Sequence, residues 1–274
     1  MCLNYILAHS FAQTPLMKIV LIGSGNLATV LGKLLKQAGN TIVQVISRNA
    51  IHAEALARIS SAGWDTDLQN IAHADVYVIA TSDEAINKIA AALHVKNKIV
   101  LHTSGSVSKD VLQNASENYG VLYPLQSLRR EVTYTPVIPF LIDASNTETL
   151  KIIQSLADSV SAKTLVADDE QRLKLHVAAV ISSNFSNHLY ALTEAYCNDE
   201  SVSFDMLLPL IQETANRLND FKPIEVQTGP AARGDWDTIE KHLKMLDAYP
   251  HLRSLYESMS KSIIELNGKN KNLQ

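Results

Sequence analysis

An apolar run that leads into closely spaced glycines has the pattern of a phosphate-binding turn. The sequence reads Lys18-Ile-Val-Leu-Ile-Gly23-Ser-Gly25-Asn-Leu-Ala28. Between a strand and a helix, Gly23 would allow the tight turn, Gly25 would let the backbone approach a phosphate, and the small Ala28 would let the helix pack closely. Free N–H groups and the positive end of the helix dipole favour an anion there. The pattern predicts a dinucleotide pocket, with phosphates held by backbone groups of Gly25, Asn26 and Leu27.

The surroundings of this turn supply the context that the motif needs. Ser24 lies inside the turn, and apolar residues follow it at helical spacing until Gly39. These residues are Leu27, Val30, Leu31, Leu34 and Leu35. A turn that binds nothing is the alternative, but strand, glycines and helix occur in the order that binding requires.

The residues after the next strand indicate which dinucleotide is bound. The run Thr41-Ile-Val-Gln-Val-Ile46 ends in Ser47-Arg48-Asn49, with no Asp or Glu. A carboxylate here would accept hydrogen bonds from the ribose of NAD and repel a 2′-phosphate, whereas an arginine beside a hydroxyl suits that phosphate. The sequence therefore favours NADP(H), with Ser47 and Arg48 at the 2′-phosphate. Alternatively, Arg48 is an ordinary exposed arginine.

Polar residues also follow the later strands, where ligands of an open α/β sheet bind. Thr81 and Ser82 follow one strand and are expected on the ribose and nicotinamide side of the cofactor, although Ser82 also suits a helix cap. His102 and Ser104 follow the next strand, and Ser104 is a further cofactor candidate. The alternative there is a Ser/Gly turn beside a buried histidine. Tyr123-Pro-Leu-Gln126 follows the strand after that.

A polar stripe lies on the long helix predicted after residue 168. At 100° per residue, its members fall near one line, with Asn184 at the edge: Arg172, His176, Ser183, Asn187, Tyr190 and Glu194. If this face lines the cleft, His176 could donate a proton to a carbonyl or imine, and Asn184 could orient the substrate. A solvated face or a polar subunit interface would also explain the stripe.

The segment Thr228-Gly-Pro-Ala-Ala-Arg-Gly-Asp235 resembles an anion-binding loop. Its single arginine, Arg233, could pair with a substrate carboxylate or phosphate beside backbone N–H groups. The alternative is a plain connector in which Asp235 caps the following helix and Arg233 lies on the surface.

The elements that position these residues follow from hydrophobic periodicity. Strand runs alternate with helical runs over residues 17–147, which predicts an α/β fold of the Rossmann type with a doubly wound parallel sheet. Between Leu141 and Leu208 there is neither glycine nor proline, and long helical periods predict a mostly α-helical second domain over residues 148–274. Its longest helix is expected over 168–197, shorter ones near 204–218, 236–246 and 251–266, and a frayed polar tail from 267. Residues 1–16 are expected to be an N-terminal extension, not a signal peptide.

Composition excludes several other classes of protein. The net charge is −4, with 24 basic and 28 acidic residues and no basic run, so a nucleic-acid partner is not expected. The two cysteines lie far apart and the nine histidines lack metal-ligand spacing, so neither a disulfide nor a metal is implied. No run reaches 18 apolar residues, and a cytoplasmic protein without membrane spans is expected.

Five motifs in order resemble a bacterial family of NADP-dependent oxidoreductases that have a Rossmann-like first domain and a helical second domain of unassigned function. The motifs are Gly23-Ser-Gly25-Asn-Leu-Ala28, His102-Thr-Ser-Gly105, Pro124-Leu-Gln126, His176-Val-Ala-Ala-Val-Ile-Ser-Ser-Asn184 and Thr228-Gly-Pro-Ala-Ala-Arg-Gly-Asp235. The resemblance covers nearly the whole chain from Met17. It implies an NADP(H)-dependent oxidoreductase, acting on a small C=O or C=N compound that carries an anionic group, with His176, Asn184 and Arg233 as the candidate catalytic residues.

More distantly, the chain is similar to pyrroline-5-carboxylate reductases and to β-hydroxyacid dehydrogenases of the 6-phosphogluconate dehydrogenase type, whose helical C-terminal domain the second domain resembles. The latter use a lysine with an asparagine four residues on. Here His176 is followed by Val180, so that mechanism is not carried over. The similarity implies a homodimer. A pyrroline-5-carboxylate-type imine reductase and a non-catalytic NADP(H) sensor remain alternative functions.

Overall fold

Eight strands form one sheet in the computed structural model, which describes residues 16–134 and 136–271. The expected extension over residues 1–16 lies outside the described residues except for Leu16. In chain order the strands are Lys18–Ile22 (β1), Thr41–Ile46 (β2), Gly63–Asp65 (β3), Val76–Ile79 (β4), Ile99–His102 (β5), Asn118–Pro124 (β6), Phe140–Ala144 (β7) and Thr164–Val166 (β8).

The order of strands across the sheet is β3-β2-β1-β4-β5-β6-β7-β8. The chain therefore moves outward from β1 in one direction as far as β3, then returns to the other side of β1 with β4. Such a reversal opens a crevice at the carboxyl ends of β1 and β4, where open α/β sheets bind ligands. The predicted Rossmann fold is confirmed, with one difference: β7 runs antiparallel to β6.

Helices cover both faces of this sheet because its central strands are apolar on both faces. In chain order they are Asn26–Gln37 (α1), Ala50–Ser60 (α2), Asp83–Ala92 (α3), Thr147–Asp158 (α4) and Asp169–Ala179 (α5). Ile19 and Leu21 of β1 pack in the core layer that includes α1, while Val20 and Ile22 pack in the layer that includes α3. These two cores hold β1 and β4 in place at the crevice.

The chain divides into two compact units, Met1–Ser183 and Asn184–Gln274. The division thus falls later than the predicted boundary at residue 147. The difference has a physical reason: α4 packs on β6 and β7, and β8 pairs with β7 in the sheet. The segment after residue 147 therefore still belongs to the first unit.

The second unit is helical, as the long periods predict. Its helices are Ser186–Asp199 (α6), Leu208–Asn216 (α7), Pro230–Arg233 (α8), Trp236–Met245 (α9) and Pro250–Lys271 (α10). The polar tail predicted to fray from residue 267 is instead helical as far as Lys271. No helix in the described part of the chain is long and apolar enough to span a bilayer.

The long helix predicted over 168–197 is not uniform. It begins as predicted, because the Asp168 side chain accepts a hydrogen bond from the Gln171 N–H in a capping box. Between α5 and α6, however, Val180–Phe185 is π-helical. A π-helical segment takes more residues per turn than an α-helix. The constant rotation of 100° per residue behind the predicted polar stripe therefore does not hold along the whole run.

Candidate functional site

A cavity of about 540 Å³ opens at the carboxyl ends of β1, β2 and β4. It lies in the first unit, at the crevice where the strand order reverses. The predicted cofactor residues that line it are Gly23, Ser24, Gly25, Asn26, Leu27, Ser47, Arg48, Thr81 and Ser82. Only Ser104 among the predicted cofactor residues is not in this lining. The structure thus brings together residues from three separate strand ends.

The two glycines of the turn are required for different reasons. Gly23 has φ +125°, and a Cβ there would lie 2.1 Å from the Ala80 carbonyl oxygen. The backbone itself therefore requires glycine at this position. Gly25 has φ −76°, which any residue can adopt, and a Cβ there would meet nothing within 4 Å. No described part of the protein occupies the space in front of Gly25, where the motif predicts a pyrophosphate.

A hydrogen bond joins the turn to the end of β2. The Ser24 hydroxyl donates to the Ser47 hydroxyl oxygen at 2.7 Å. Next to Ser47, Arg48 is exposed, and its guanidinium has no hydrogen-bond or ion-pair partner among the described residues. The Asn49 side chain caps α2 by accepting from the His52 N–H. A guanidinium that has no protein partner and lies beside the start of a helix is well placed to bind an anionic group.

Three polar residues of the cavity were missed by the sequence analysis. His52 lies in the first turn of α2, Thr66 follows β3, and Lys88 lies on α3. Lys88 follows Ser82 and Ala85 at helical spacing, and all three line the cavity. That spacing was the only signal available for Lys88. His52 and Lys88 are thus two further basic side chains in the cavity lining that includes Arg48.

Thr81 and Ser82 combine cavity lining with local structural contacts. Ser82 is the N-cap residue of α3, but its side chain makes no capping hydrogen bond. The Thr81 hydroxyl donates only a long bond, 3.4 Å, to the Ser82 carbonyl oxygen. The Ser82 side chain therefore does not cap α3 in this structure. Its hydroxyl is available to a ligand.

The segment after β5 takes the form of the alternative considered for it, a Ser/Gly turn beside a buried histidine. The Ser104 hydroxyl accepts hydrogen bonds from the N–H groups of Ser106 and Val107. His102 is fully buried, and its Nδ1 accepts from the Ser104 N–H. Burial, assisted by the charge of Arg172, lowers the pKa of His102 to about 4. The Ser104 hydroxyl is thus engaged as an acceptor within the turn, and its assignment to the cofactor stays a prediction.

A tyrosine and a histidine meet directly above this turn. The Tyr123 hydroxyl lies 2.9 Å from Nδ1 of His176, and the two rings pack edge to face. A Cβ on Gly105 would lie 2.7 Å from that same Nδ1 and 2.9 Å from Cζ of Tyr123. Burial, followed by the charge of Asp83, raises the pKa of the Tyr123 phenol. The phenol therefore stays protonated at neutral pH and can donate to Nδ1.

Arg172 holds α5 against the loop that contains Gly105. Only 1% of Arg172 is exposed, and its Nη2 donates to the Val107 carbonyl oxygen at 2.6 Å and to Asp169 Oδ1 at 2.7 Å. Burial alone would raise the pKa of Asp169, but hydrogen bonds, from Ser108 and Arg172 among others, lower it. Arg172 thus joins α5 to this loop through Nη2, while its buried Nε and Nη1 have no hydrogen-bond partner among the described residues.

The other two predicted catalytic residues belong to the second unit. Asn184 is exposed in the π-helical segment. Arg233 is the exposed last residue of the four-residue helix α8, and Gly234 after it has φ +72°. Asp235 caps α9 by accepting from the Thr238 N–H, as predicted. The roles predicted for Asn184 and Arg233 toward a substrate remain predictions.

The residues of the cavity fit a dinucleotide. The turn at Gly25 leaves open space where a side chain could stand, α1 has no side-chain cap on its first N–H groups, and basic side chains also line the cavity. Free N–H groups at a helix start hold phosphate. The residues that would hold the pyrophosphate are Gly25, Asn26 and Leu27, and those that would hold a 2′-phosphate are Ser47 and Arg48.

Comparisons with known proteins agree with this architecture. Residues 18–105 match the family described as NADP oxidoreductase coenzyme F420-dependent, and residues 138–263 match a domain of unknown function, DUF2520. A solved structure from Bacteroides fragilis, provisionally named an NADP oxidoreductase, is 40% identical, with a TM-score of 0.84. The match covers 91% of this chain and 98% of that one. Among proteins with curated functions, none matches this chain.

More distant structures share the fold. The 1-pyrroline-5-carboxylate reductase of Streptococcus pyogenes is 14% identical, with a TM-score of 0.59 and coverage of 91% of this chain and 98% of that one. An imine reductase of Myxococcus stipitatus in complex with NADP+ is 14% identical, with a TM-score of 0.61 and coverage of 90% and 93%.

The predicted resemblance is thereby confirmed, and the NADP(H) prediction is confirmed at the level of the family. Identity of 40% over 91% of the chain extends through both units. The chain belongs to the NADP oxidoreductase family of the Bacteroides fragilis protein, in which a Rossmann-like first part is joined to the domain of unknown function DUF2520.

Proposed function

We propose that the protein is an NADP(H)-dependent oxidoreductase that interconverts a small C=O or C=N compound and its reduced form. The observation that carries the proposal is the cavity at the carboxyl ends of β1 and β4, with open space at Gly25 and basic side chains, Arg48 among them, in its lining. This is the place and the chemistry that a phosphorylated dinucleotide requires.

The basic side chains in the cavity lining favour NADP(H) over NAD(H). The cavity that Ser47 lines is also lined by Arg48, His52 and Lys88. The Ser24 hydroxyl holds Ser47 in place by donating a hydrogen bond to its hydroxyl oxygen. A guanidinium and a helix start both favour a doubly charged phosphate group. The cavity lining after β2 contains no carboxylate to bind the free ribose hydroxyls of NAD.

When bound, NADPH supplies a hydride to the carbon of the substrate double bond. The chain's own task is to orient the substrate and deliver one proton to its oxygen or nitrogen. His176 is our candidate for that proton donor. In the resting ring the Tyr123 phenol can donate to Nδ1, 2.9 Å away, which places the ring proton on Nε2. To act as the acid the ring first takes up a second proton. It then gives the Nε2 proton to the substrate, so that a neutral imidazole remains.

The substrate is proposed to be small and anionic. Arg233 would pair with its carboxylate or phosphate, and Asn184 would orient the reacting group by hydrogen bonds. Both side chains are exposed, and Arg233 forms no ion pair with any described residue. Structures named as imine and pyrroline-5-carboxylate reductases share the fold. Cyclic imines with a carboxylate are therefore the first compounds to screen, followed by 2-oxo acids.

Calorimetric titration with NADPH and NADH tests the cofactor, in parallel on the wild type and Arg48→Ala. We expect tight NADPH binding, weaker NADH binding, and a loss of about 1.5 to 3 kcal/mol for NADPH alone in the variant, the scale of a charge-assisted hydrogen bond. Absence of binding for both nucleotides in the wild type would overturn the proposed function.

Turnover separates an enzyme from a non-catalytic NADP(H) sensor. A sensor would bind NADPH but oxidise it with none of the screened carbonyl or imine compounds. For an enzyme, His176→Gln should abolish most NADPH oxidation while the cofactor affinity is kept. Unchanged turnover in this variant would remove His176 from the mechanism.

We propose that the second unit mediates a homodimer. Among its described residues only Cys197, Ala231, Ile239, Leu246 and Ser260 are buried. Large apolar side chains are exposed instead, including Met206, Leu210, Trp236 and Met245, each 61% or more. Light scattering should give twice the chain mass, and Leu210→Glu should shift it toward the monomer. A monomeric wild type at micromolar concentration would contradict the dimer.

A further inference from the structure

The loop between β6 and β7 reaches back to the glycine turn. Arg130 in this loop donates through Nε to Oδ1 of Asn26 at 3.0 Å, although the two residues are 104 positions apart. Asn26 is the first residue of α1 and lines the dinucleotide cavity. The loop thus brings a guanidinium to the helix start at which the cofactor's pyrophosphate is proposed to lie.

The bond to Asn26 leaves most of the guanidinium free. Only Nε is used, and the nearest carboxylate, Glu131 Oε1, lies 3.7 Å from that same nitrogen. Neither Nη of Arg130 has a hydrogen-bond or ion-pair partner among the described residues. The two terminal nitrogens of an arginine can each donate a hydrogen bond to one oxygen of the same phosphate. Lysine cannot offer this bidentate geometry. Arg130 is also only partly exposed, at 36% of its side chain, so its position is more restricted than that of a fully solvated arginine.

The same bond determines how the Asn26 amide is oriented. Arginine can only donate hydrogen bonds, so the carbonyl oxygen of Asn26 must face Arg130. The Nδ2 amino group, a donor, is therefore turned away from the guanidinium. A donor amide beside uncapped helix N–H groups and a guanidinium forms a set of groups that all favour an anion.

We propose that Arg130 is a phosphate ligand of the cofactor site, delivered by the loop between β6 and β7 to the pyrophosphate of NADP(H) and held in place by Asn26. This inference rests on the proposed function, because it assigns a further residue to the same cofactor. It adds a cation from outside the glycine turn. Arg130 lines a smaller cavity beside α1 rather than the dinucleotide cavity itself, so it would reach the pyrophosphate from the side of Asn26.

The test compares two ligands on five proteins. NADPH contains the pyrophosphate, whereas adenosine 2′-monophosphate contains the 2′-phosphate and has no 5′-phosphate. The proteins are the wild type, Arg130→Gln, Arg130→Lys, Arg48→Ala and the control Arg129→Gln. Arg129 is the neighbouring arginine, 65% exposed and paired with Glu131. Dissociation constants are measured by titration at several salt concentrations.

Arg130→Gln should weaken NADPH binding by about 10- to 100-fold, the range of a charge-assisted hydrogen bond. It should leave the binding of adenosine 2′-monophosphate unchanged. Its NADPH affinity should also depend less on salt than that of the wild type, because one cation is gone. Arg48→Ala should weaken both ligands, and Arg129→Gln should weaken neither. Arg130→Lys should restore only part of the affinity, since an ammonium lacks the paired geometry.

Two outcomes overturn the inference. Equal NADPH affinity in the wild type and Arg130→Gln would show that the loop arginine binds no phosphate. Equal losses for NADPH and adenosine 2′-monophosphate in Arg130→Gln would show that the variant only loosens the domain. Both differ from failure of the proposed function, in which the wild type itself binds no nucleotide.

Discussion

The Tyr123 hydroxyl and Nδ1 of His176 lie 2.9 Å apart, and Gly105 leaves no room for a Cβ beside either ring. Tyr123 is the penultimate residue of β6, His176 lies on α5, and Gly105 belongs to the turn after β5. Three elements of the first unit therefore fix one imidazole. An imidazole fixed in this way presents a single nitrogen, Nε2, to its surroundings.

Tyr123→Phe tests whether the phenol positions His176. The change removes the hydroxyl and keeps the ring, so turnover should fall about tenfold, the worth of one hydrogen bond, with NADPH affinity unchanged. Nitrogen NMR of the His176 imidazole, which needs no substrate, should show a loss of the Nε2–H tautomer preference. His176→Gln should cost about 10²- to 10⁴-fold in turnover.

The double variant provides the control for this prediction. Residues that act as a unit are not additive, so Tyr123→Phe should have little further effect in the His176→Gln background. An equal loss in both backgrounds, or an unchanged imidazole spectrum, would mean that Tyr123 acts independently of His176.

Gly105→Ala should disturb the same pair by steric contact. The new Cβ would lie 2.7 Å from the imidazole nitrogen, so the ring must move. Overpacking of this kind costs about 1 to 3 kcal/mol. We expect a lower melting temperature and a strong loss of turnover, while the NADPH affinity stays within about twofold because Gly105 is not part of the cavity lining. A variant with normal turnover would show that the position of His176 is not critical.

The two glycines of the turn should respond in opposite ways to alanine. Gly23→Ala places a Cβ 2.1 Å from the Ala80 carbonyl oxygen at φ +125°, so it should destabilise the fold by roughly 3 kcal/mol. Gly25→Ala meets no described atom within 4 Å, so urea unfolding should be unchanged. It should nevertheless weaken NADPH binding about tenfold or more, because the new Cβ would occupy the space proposed for the pyrophosphate. Intact NADPH binding in Gly25→Ala would contradict the proposed position of the phosphates.

Buried His102 should make the stability of the protein depend on pH. Burial lowers its pKa from 6.5 to about 4 in the folded state. Between these two values the unfolded chain binds a proton that the folded chain does not, so the free energy of unfolding falls as the pH drops from 6.5 to 4. The loss should reach up to about 3 kcal/mol. Urea unfolding at several pH values measures it.

His102→Asn should flatten this dependence, since the amide oxygen can still accept from the Ser104 N–H but does not titrate. The exposed His73 offers a matched control, because His73→Asn should keep the wild-type slope. A wild-type profile without a fall below pH 6.5 would show that His102 is protonated in the folded protein.

Much of the first unit could be predicted from the sequence because its signals are local. Apolar runs that end in Gly23, Ser47 and Thr81 mark both the strands and the residues at their carboxyl ends, and all three residues line the cavity. The edge strand β3 gave no such signal: it has three residues, Gly63–Asp65, and Trp64 in its middle is exposed.

The contacts that depend on distant residues could not be predicted in the same way. His176 and the Tyr123–Gln126 segment were both candidates, but the 53 positions between Tyr123 and His176 hide their contact until α5 is placed on the sheet. Ser104 was assigned to the cofactor because its position after a strand is right. Its hydroxyl also accepts from two N–H groups of its own turn, a contact that residue type alone does not reveal.

The reversed strand β7 has a consequence for how this protein can vary. Because β7 runs antiparallel to β6, the connection from Pro124 to Phe140 begins and ends at the cofactor edge of the sheet and needs no crossover helix. Its length does not determine the position of any other strand. Residues could therefore be inserted or exchanged in this connection without shifting the sheet, which makes it the natural place to engineer cofactor affinity.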